Sequence, residues 1–488
     1  MTIYLWLLVA YLAVLTVFNF LRARKVKTQD DMMVAGRSLP LRVMVFTLIC
    51  TWIGSGTFIA GAEYAAQAGF TSLWLAAGAW VGIILIYFLA GKIRTFGQYT
   101  IGDILEVRYG PVARILGAIA LIISFTAIVS YQFVAGGFIL NVITDGAISD
   151  STGTLITAAF VILFTALAGM VAVAYTDLPN GIIILLACIT SVPFVYAAAG
   201  GLSGAMQVLP AGHFQIVNET FGAHPILKAG GYFLSTLLLL LGIQSMYQKF
   251  YSARTPKDAK QAVLLWVIGT IFVETVVVII AVFAYSKFQD RLDLTIPKEG
   301  GKLVLMAARE LVPLPIGILL LGAACAVVIS TGMNYLLSPT TNIMRDVYQR
   351  FINKDASQGS MVALQKVFVV LLGVVAFFLA TRLTSVLSMS YFAYTIYGVA
   401  ITPALIAALA WKRATKTAGI VSMSLGIIVT LGLKIFTAVR PDLCPGGDPY
   451  GIPMIYPAFA VSFLALVIVS YLTPPPSKET LASFFPEK

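Results

Sequence analysis

The stretch T-W-I-G-S-G-T, Thr51 to Thr57, lies in the middle of an apolar run from 41 to 68 and decides how the chain reads. Two glycines bracket a serine where a membrane helix would carry apolar side chains without interruption. A backbone that opens there exposes carbonyls and amides, which a bilayer tolerates only where they line a polar cavity. Broken helices of this kind hold ions and polar solutes in membrane carriers. The same spacing also suits a small-residue face for close helix packing, so the stretch alone leaves both readings open.

Working outward, the rest of the chain reads as membrane. Of 488 residues, 59% are hydrophobic and 11% charged, and the mean hydropathy is +0.93; a soluble domain carries about 25% charged residues. At ~20 residues per span the length allows roughly a dozen helices and no sizeable soluble domain. Nucleic-acid binding and cytosolic catalysis are thereby excluded. Apolar runs recur at 2–21, 41–68, 72–91, 112–140, 154–175, 180–199, 230–250, 262–286, 314–346, 361–381, 385–411, 416–436 and 453–473, thirteen in all. The first is followed at once by Arg22, Arg24, Lys25 and Lys27 and has no small-residue cleavage site, so it reads as a retained helix rather than a signal peptide. Alternating the spans from an outside N-terminus puts 23 of the 32 basic residues on the inner side and nine on the outer. That bias predicts thirteen spans with the N-terminus out and the C-terminus in, and it accounts for the net charge of +11 without a polyanion partner. The longer outer loops, 200–229, 287–313 and 437–452, read as lids or connectors. The tail from Pro474, with three consecutive prolines, reads as a short disordered cytoplasmic end.

Cys50, Cys188 and Cys325 lie inside apolar runs and Cys444 in a loop, so all four read as structural. His213 and His224 share one outer loop, which leaves no histidine for a proton relay or a metal site inside the membrane. Polar clusters at mid-membrane are then the candidates for function. Besides Thr51–Thr57, the ninth span carries Ser330 and Thr331 with Asn334 and Ser338 following on one face. Two hydroxyls beside opened carbonyls meet the oxygen demand of a monovalent cation, although Ser and Thr in helices also bond back to their own backbone. The seventh span, G-I-Q-S-M-Y-Q-K-F-Y at 242–251, places Gln244, Tyr247 and Gln248 within two turns, where amides and a phenol suit a polar solute and the tyrosines equally suit an interfacial belt. Glu274 lies mid-span among Val and Ile, where a lone ionised carboxylate is too costly; structural pairing is the favoured reading. Glu63, toward the outer end of the broken run, reads as lining a vestibule. Asp103 and Arg108 read as anchors of an inner loop. No basic residue falls at the middle of a span to mark an anion.

Five ordered motifs carry a resemblance. They are M-V-A-G-R-S-L-P at 33–40, T-I-G-D-I-L-E-V-R-Y-G at 100–110, A-V-A-Y-T-D at 172–177, Q-K-F-Y-S-A-R-T at 248–255, and V-V-I-S-T at 327–331 followed by R-D-V-Y at 345–348. Together they resemble the sodium:solute symporter family over roughly 30–480. The T-W-I-G-S-G and A-V-A-Y-T-D stretches are most similar to its choline-transporter-like branch, where aromatics cage a quaternary ammonium. Trp52 matches that cage, whereas Ile243 stands where the branch has a second tryptophan.

The resemblance implies an all-α polytopic membrane protein with a LeuT-like inverted repeat of five plus five helices. On it, 1–40 is the leading helix and inner loop, 41–229 the first repeat and outer loop, 230–411 the second repeat, 412–473 two trailing helices and 474–488 the tail. The first helix of each repeat is then discontinuous. It further implies a sodium site of the Thr51, Gly54 and Val327 carbonyls with the Ser330 and Thr331 hydroxyls, and Asp177, ending the fourth core helix, as a possible ligand for a second sodium. Implied solute contacts are Trp52, Ser55, Thr57, Tyr131, Gln132, Gln244, Tyr247, Tyr391 and Tyr394. The expectation is sodium-coupled symport of a small polar organic solute by alternating access, in a plasma membrane that is a bacterial inner membrane, with sodium as coupling ion, no nucleic acid and no obligate protein partner. Rivals are a proton-coupled carrier on the same fold and, further back, a transporter-like sensor or a polytopic enzyme, for which no catalytic constellation is visible.

Overall fold

The computed structural model describes residues 3–23, 33–96, 99–167 and 170–485. It is built from helices, and eleven stretches among the described residues are long and apolar enough to cross a membrane. The leading helix is α1, Ile3–Ala23; the basic residues Arg24, Lys25 and Lys27 that follow it lie outside the described residues.

The run at 41–68 is divided. Helix α2, Leu41–Trp52, starts after Pro40 and stops because Ile53 adopts an extended backbone (φ −70°, ψ 100°). The chain re-enters through a π-helical turn, Gly56–Ala60, into α3, Gly61–Ala68. There Gly69 ends it with φ +64°, a conformation that favours glycine. A Cβ at Gly69 would also strike the backbone of His213, so the loop carrying His213 closes directly on the end of α3. Next come α4, Leu73–Phe96, and a short helix α5, Ile101–Tyr109, whose start is a capping box of Thr100 with Asp103. Then follow α6, Pro111–Ile143, α7, Asp150–Leu167, and α8, Met170–Ala198.

After a short helix α9, Gly201–Val208, a second divided helix appears as α10, Pro225–Gly242, and α11, Gln244–Ser252. Its hinge is Ile243 at φ −68°, ψ 118°. The two breaks therefore share one backbone geometry, at Ile53 and at Ile243. The second helix starts at Pro225, five residues earlier than the boundary read from hydropathy, because a proline at the first helical position needs no apolar neighbour to start a helix. The remaining elements are α12, Pro256–Phe288, a short α13, Leu303–Glu310, α14, Leu314–Asn342, α15, Gln358–Thr381, α16, Val386–Ala400, and α17, Thr402–Ala410. Two closing helices, α18, Lys416–Val439, and α19, Ile455–Leu472, pack on each other, and α20, Lys478–Ala482, lies in the tail. The divided run α2–α3 is enclosed by α8, α12, α14 and α16, with α4 packed against α10 and α12.

Two expectations are corrected here. Asp177 does not end the fourth core helix: α8 already begins at Met170, so Asp177 is inside it. The tail is not loose where it is described. Phe484 is buried, stacked on Phe96 at 5.1 Å between ring centroids and lying under Arg108, while Lys92 sits 4.2 Å above the ring of Phe485. The two aromatics supply an apolar anchor that the proline run conceals.

Candidate functional site

The break at Ile53 sets free the backbone that builds the site. The Ser55 amide, no longer helical, donates to Gln132 Oε1 of α6 at 3.2 Å, and the helix restarts with the Thr57 and Phe58 amides both on the Gly54 carbonyl at 3.0 Å. From α14 the Thr331 hydroxyl donates to the Cys50 carbonyl at 2.9 Å and lies 3.4 Å from that of Ile53. The fit is close: a Cβ on Gly54 would stand 2.8 Å from Thr331 Cγ2 and 3.0 Å from its Oγ1. Thr51 Oγ1 is buried beside it without a hydrogen-bond partner. Neutral oxygens thus converge between α2 and α14, the donor set a monovalent cation wants. Thr331 meets the carbonyls of Cys50 and Ile53 rather than those of Thr51 and Gly54, because the chain leaves the helix at Ile53 and the Gly54 carbonyl serves the restarting helix. Val327 is fully buried one turn before Thr331 on α14.

Ser330 turns the other way. Its hydroxyl donates to Asp177 Oδ1, and Thr47 of α2 donates to Asp177 Oδ2 at 2.5 Å. Asn334 donates to the Ser330 carbonyl at 3.0 Å and accepts from Lys249 Nζ at 2.6 Å. Lys249 is fully buried, a cation inside the protein that the sequence did not single out. It lies in α11, nearly two turns beyond the hinge at Ile243, and at the end of an apolar run it reads as an interfacial cation.

A second cluster lies on the other side of the broken segment. Trp52 Nε1 donates to Glu274 Oε1 of α12 at 3.0 Å and Trp80 Nε1 of α4 to Oε2 at 2.7 Å, with Thr57 Oγ1 3.4 Å from Oε1. The Tyr394 hydroxyl of α16 abuts Gly56, where a Cβ would come within 2.6 Å, and it pairs with the Tyr131 hydroxyl at 3.3 Å. Ser55 Oγ is buried and without a hydrogen-bond partner, whereas Gly56 and Thr57 are only half-buried among fully buried neighbours. Trp52, Ser55, Thr57, Tyr131, Gln132 and Tyr394 are therefore brought together. Pairing of Glu274 was the favoured reading, but its partners escaped the sequence, since α4 shows nothing at Trp80 but one more aromatic in an apolar run.

Three of the expected solute contacts lie elsewhere. Gln244 Oε1 accepts the Ile101 amide at 2.7 Å and so ties α11 to the start of α5. Tyr247 donates to the Leu241 carbonyl at 3.0 Å, across its own hinge. Tyr391 accepts the Ile455 amide at 3.2 Å and stands edge-on to Tyr232. Gln244 Oε1 and the two tyrosine hydroxyls are thus engaged in joining helices, while Gln244 Nε2 is buried without a partner. Glu63 does not line a vestibule either: it is fully buried, and its carboxylate accepts the Val386 and Leu387 amides at 2.9 and 3.1 Å, capping the N-terminus of α16. At the 100–110 motif Asp103 pairs with Arg114, and Arg108 donates to the carbonyls of Trp411, Lys412 and Ala414 at 2.9–3.0 Å, the anchoring role read from the motif.

A match to the family model described as "Sodium:solute symporter family" covers residues 32–426. The osmoregulated proline transporter OpuE of Bacillus subtilis is 26% identical, over 97% of this chain and 96% of its own. The human high affinity choline transporter 1 is 25% identical, over 91% of this chain and 79% of its own. Among solved structures, a Na+-coupled sialic acid symporter in a substrate-bound outward-open state superposes with a TM-score of 0.78 over 98% of this chain and 99% of its own, at 15% identity, and that likeness extends to the LeuT-like transporter fold. With an opened helix facing a hydroxyl-bearing one inside such a fold, the chain belongs to the sodium:solute symporter family and is a membrane transporter that couples import of a small solute to sodium.

Proposed function

We propose that the chain carries one sodium ion together with one small polar organic solute by alternating access, through thirteen spans with the N-terminus outside and the C-terminus inside, in a bacterial inner membrane. The distribution of basic residues supports that orientation. Sodium is held between α2 and α14 by the Thr331 hydroxyl and the carbonyls exposed at the break, those of Cys50, Thr51 and Ile53, with Ser330, Gly54 and Val327 adjoining. The solute lies against Trp52, Ser55, Thr57, Tyr131, Gln132 and Tyr394. Asp177 is not assigned a second sodium, because its two oxygens already accept from Ser330 and Thr47 beside the Lys249–Asn334 pair. One ion moving down 100 mV supplies about 2.3 kcal/mol before its concentration gradient is added, enough for useful accumulation.

Among the relatives, proline and choline share a positively charged nitrogen on a compact frame, which makes L-proline and choline the first solutes to try. The observation that carries the proposal is the extended residue Ile53 with Thr331 on the carbonyl of Cys50. Sodium binding there favours the outward-open arrangement, and solute binding then favours closure. Reconstituted protein should take up its solute only with a sodium gradient, and Ser330→Ala with Thr331→Ala should abolish that dependence. Uptake indifferent to sodium would overturn the proposal.

A further inference from the structure

Glu274 is 5% exposed, in the middle of α12. Its two oxygens accept from two indole N–H groups and lie near one hydroxyl, two of these three partners belonging to the broken segment. An indole nitrogen can only donate, so this is the environment of an ionised carboxylate. Among the described residues no Lys, Arg or His lies within 4.0 Å of it. Neutral donors stabilise a buried charge without cancelling it, and an uncancelled charge at mid-membrane is costly. The missing cation has to come from outside the chain.

We propose that Glu274 is the counter-ion for a positively charged nitrogen on the transported solute, so that the site selects organic ammonium compounds. This rests on the solute site proposed above. Trp52, Trp80 and Tyr394 form an aromatic wall around the carboxylate, and ring faces attract an organic ammonium, whereas donor-only indoles offer no lone pair to an inorganic cation. Gly56 and Thr57 are half-buried among fully buried neighbours, so the broken segment is accessible beside the carboxylate. The unpartnered Ser55 hydroxyl is left for a second polar group on the same solute. Because Trp52 and Thr57 sit on either side of the break, a solute that engages Glu274 also sets the angle between α2 and α3, which couples recognition to the helix that holds sodium.

The test measures thermal stability of the purified full chain in NaCl and in KCl of equal ionic strength. The added solutes are choline, its uncharged carbon isostere with a tert-butyl group in place of the trimethylammonium, L-proline and glucose. Choline or L-proline should stabilise the wild type in NaCl and not in KCl, and the isostere and glucose should do neither. Glu274→Gln should weaken the ammonium response by roughly 30-fold or more, the lower range for removing one partner of a buried charge pair, while sodium alone stabilises the variant as it does the wild type. Glu274→Asp, which keeps the charge one methylene further back, should retain the preference for ammonium over isostere at reduced affinity. If neither ammonium compound stabilises, if the isostere or glucose does so equally well with sodium, or if Glu274→Gln responds as the wild type does, the assignment is overturned while sodium coupling stands. Stability indifferent to sodium in every protein would instead overturn the proposed function. Should Glu274→Gln fail to fold, the wild-type comparison of choline with its isostere decides the question by itself.

Discussion

Gly54→Ala probes the sodium site with a single methyl group. The new Cβ would lie 2.8 Å from Thr331 Cγ2, 3.0 Å from Thr331 Oγ1 and 3.1 Å from Gln132 Nε2. Carbon atoms in contact rest at about 3.5–4.0 Å, so Thr331 has to move by several tenths of an ångström. Gly54 is not at positive φ, hence the strain is steric and not conformational. Overpacking by one methyl costs about 1–3 kcal/mol. Relief comes by turning Thr331 off the Cys50 carbonyl, and sodium binding has to reverse that turn. The sodium concentration for half-maximal uptake should therefore rise about 5- to 150-fold, at 1.4 kcal/mol per factor of ten. Thr331→Ser removes Cγ2, the nearest clashing atom, so adding it to Gly54→Ala should recover much of the loss. Gly322→Ala serves as control on the same helix, since a Cβ there meets nothing within 4 Å. Sodium titration of uptake in proteoliposomes reads all four proteins. A Gly54→Ala half-saturation within twofold of wild type, or no recovery in the double variant, would refute the placement of Thr331 against the break.

Other predictions concern the two faces. Phe484→Ala should undock the tail, since deleting a buried phenyl ring costs about 3 kcal/mol against a strap held chiefly by its end; limited proteolysis after Leu472 should speed up, and unchanged protection would contradict the docking. Arg108→Ala removes the one terminal nitrogen, Nη2, that serves all three carbonyls. A loss of about 1–3 kcal/mol from carbonyls left unsatisfied should lower the melting temperature by a few degrees. Burial lowers the pKa of His213, in the loop between α9 and α10, where Nε2 lies 3.1 Å from the Ala66 carbonyl and the ring stacks on Tyr285. The undocked loop then binds the proton more readily, so docking is fully favoured above the ordinary histidine value of about 6.5 and weakens as pH falls through and below it. Protection from hydrogen exchange over 211–214, taken relative to the intrinsic rate at each pH, should fall between pH 7 and 5, and His213→Gln should lose that dependence.

The membrane class and the glycine-bearing polar stretch Thr51–Thr57 were legible because each is a local property: apolar runs of spanning length, and two glycines where a helix needs side chains. The hydroxyl pair at Ser330 and Thr331 was legible for the same reason. Which carbonyls those hydroxyls meet was not, because it depends on the dihedral angles of Ile53, whose side chain carries no sign of an extended backbone. Glu274 stood out as costly, yet its partners Trp52 and Trp80 are 222 and 194 residues away in sequence. Gln244, Tyr247 and Tyr391 had suitable chemistry, and only packing revealed that Gln244 Oε1 and the two hydroxyls tie helices together. Lys249 illustrates the same limit: a lysine at the end of an apolar run reads as an interfacial cation until Asn334 of a distant helix is seen to hold it.

By itself, the amino-acid order determined that this protein crosses a membrane many times, that one apolar run carries glycines suited either to a break or to close packing, and that another carries a pair of hydroxyls. Hydropathy and backbone freedom are set residue by residue, so they survive without knowledge of the fold. The tertiary structure decided which oxygens converge, that Ser330 serves Asp177 while Thr331 serves the break, and that a lone carboxylate is ringed by indoles. Those outcomes are distances between helices remote in sequence, set by how their side chains interlock.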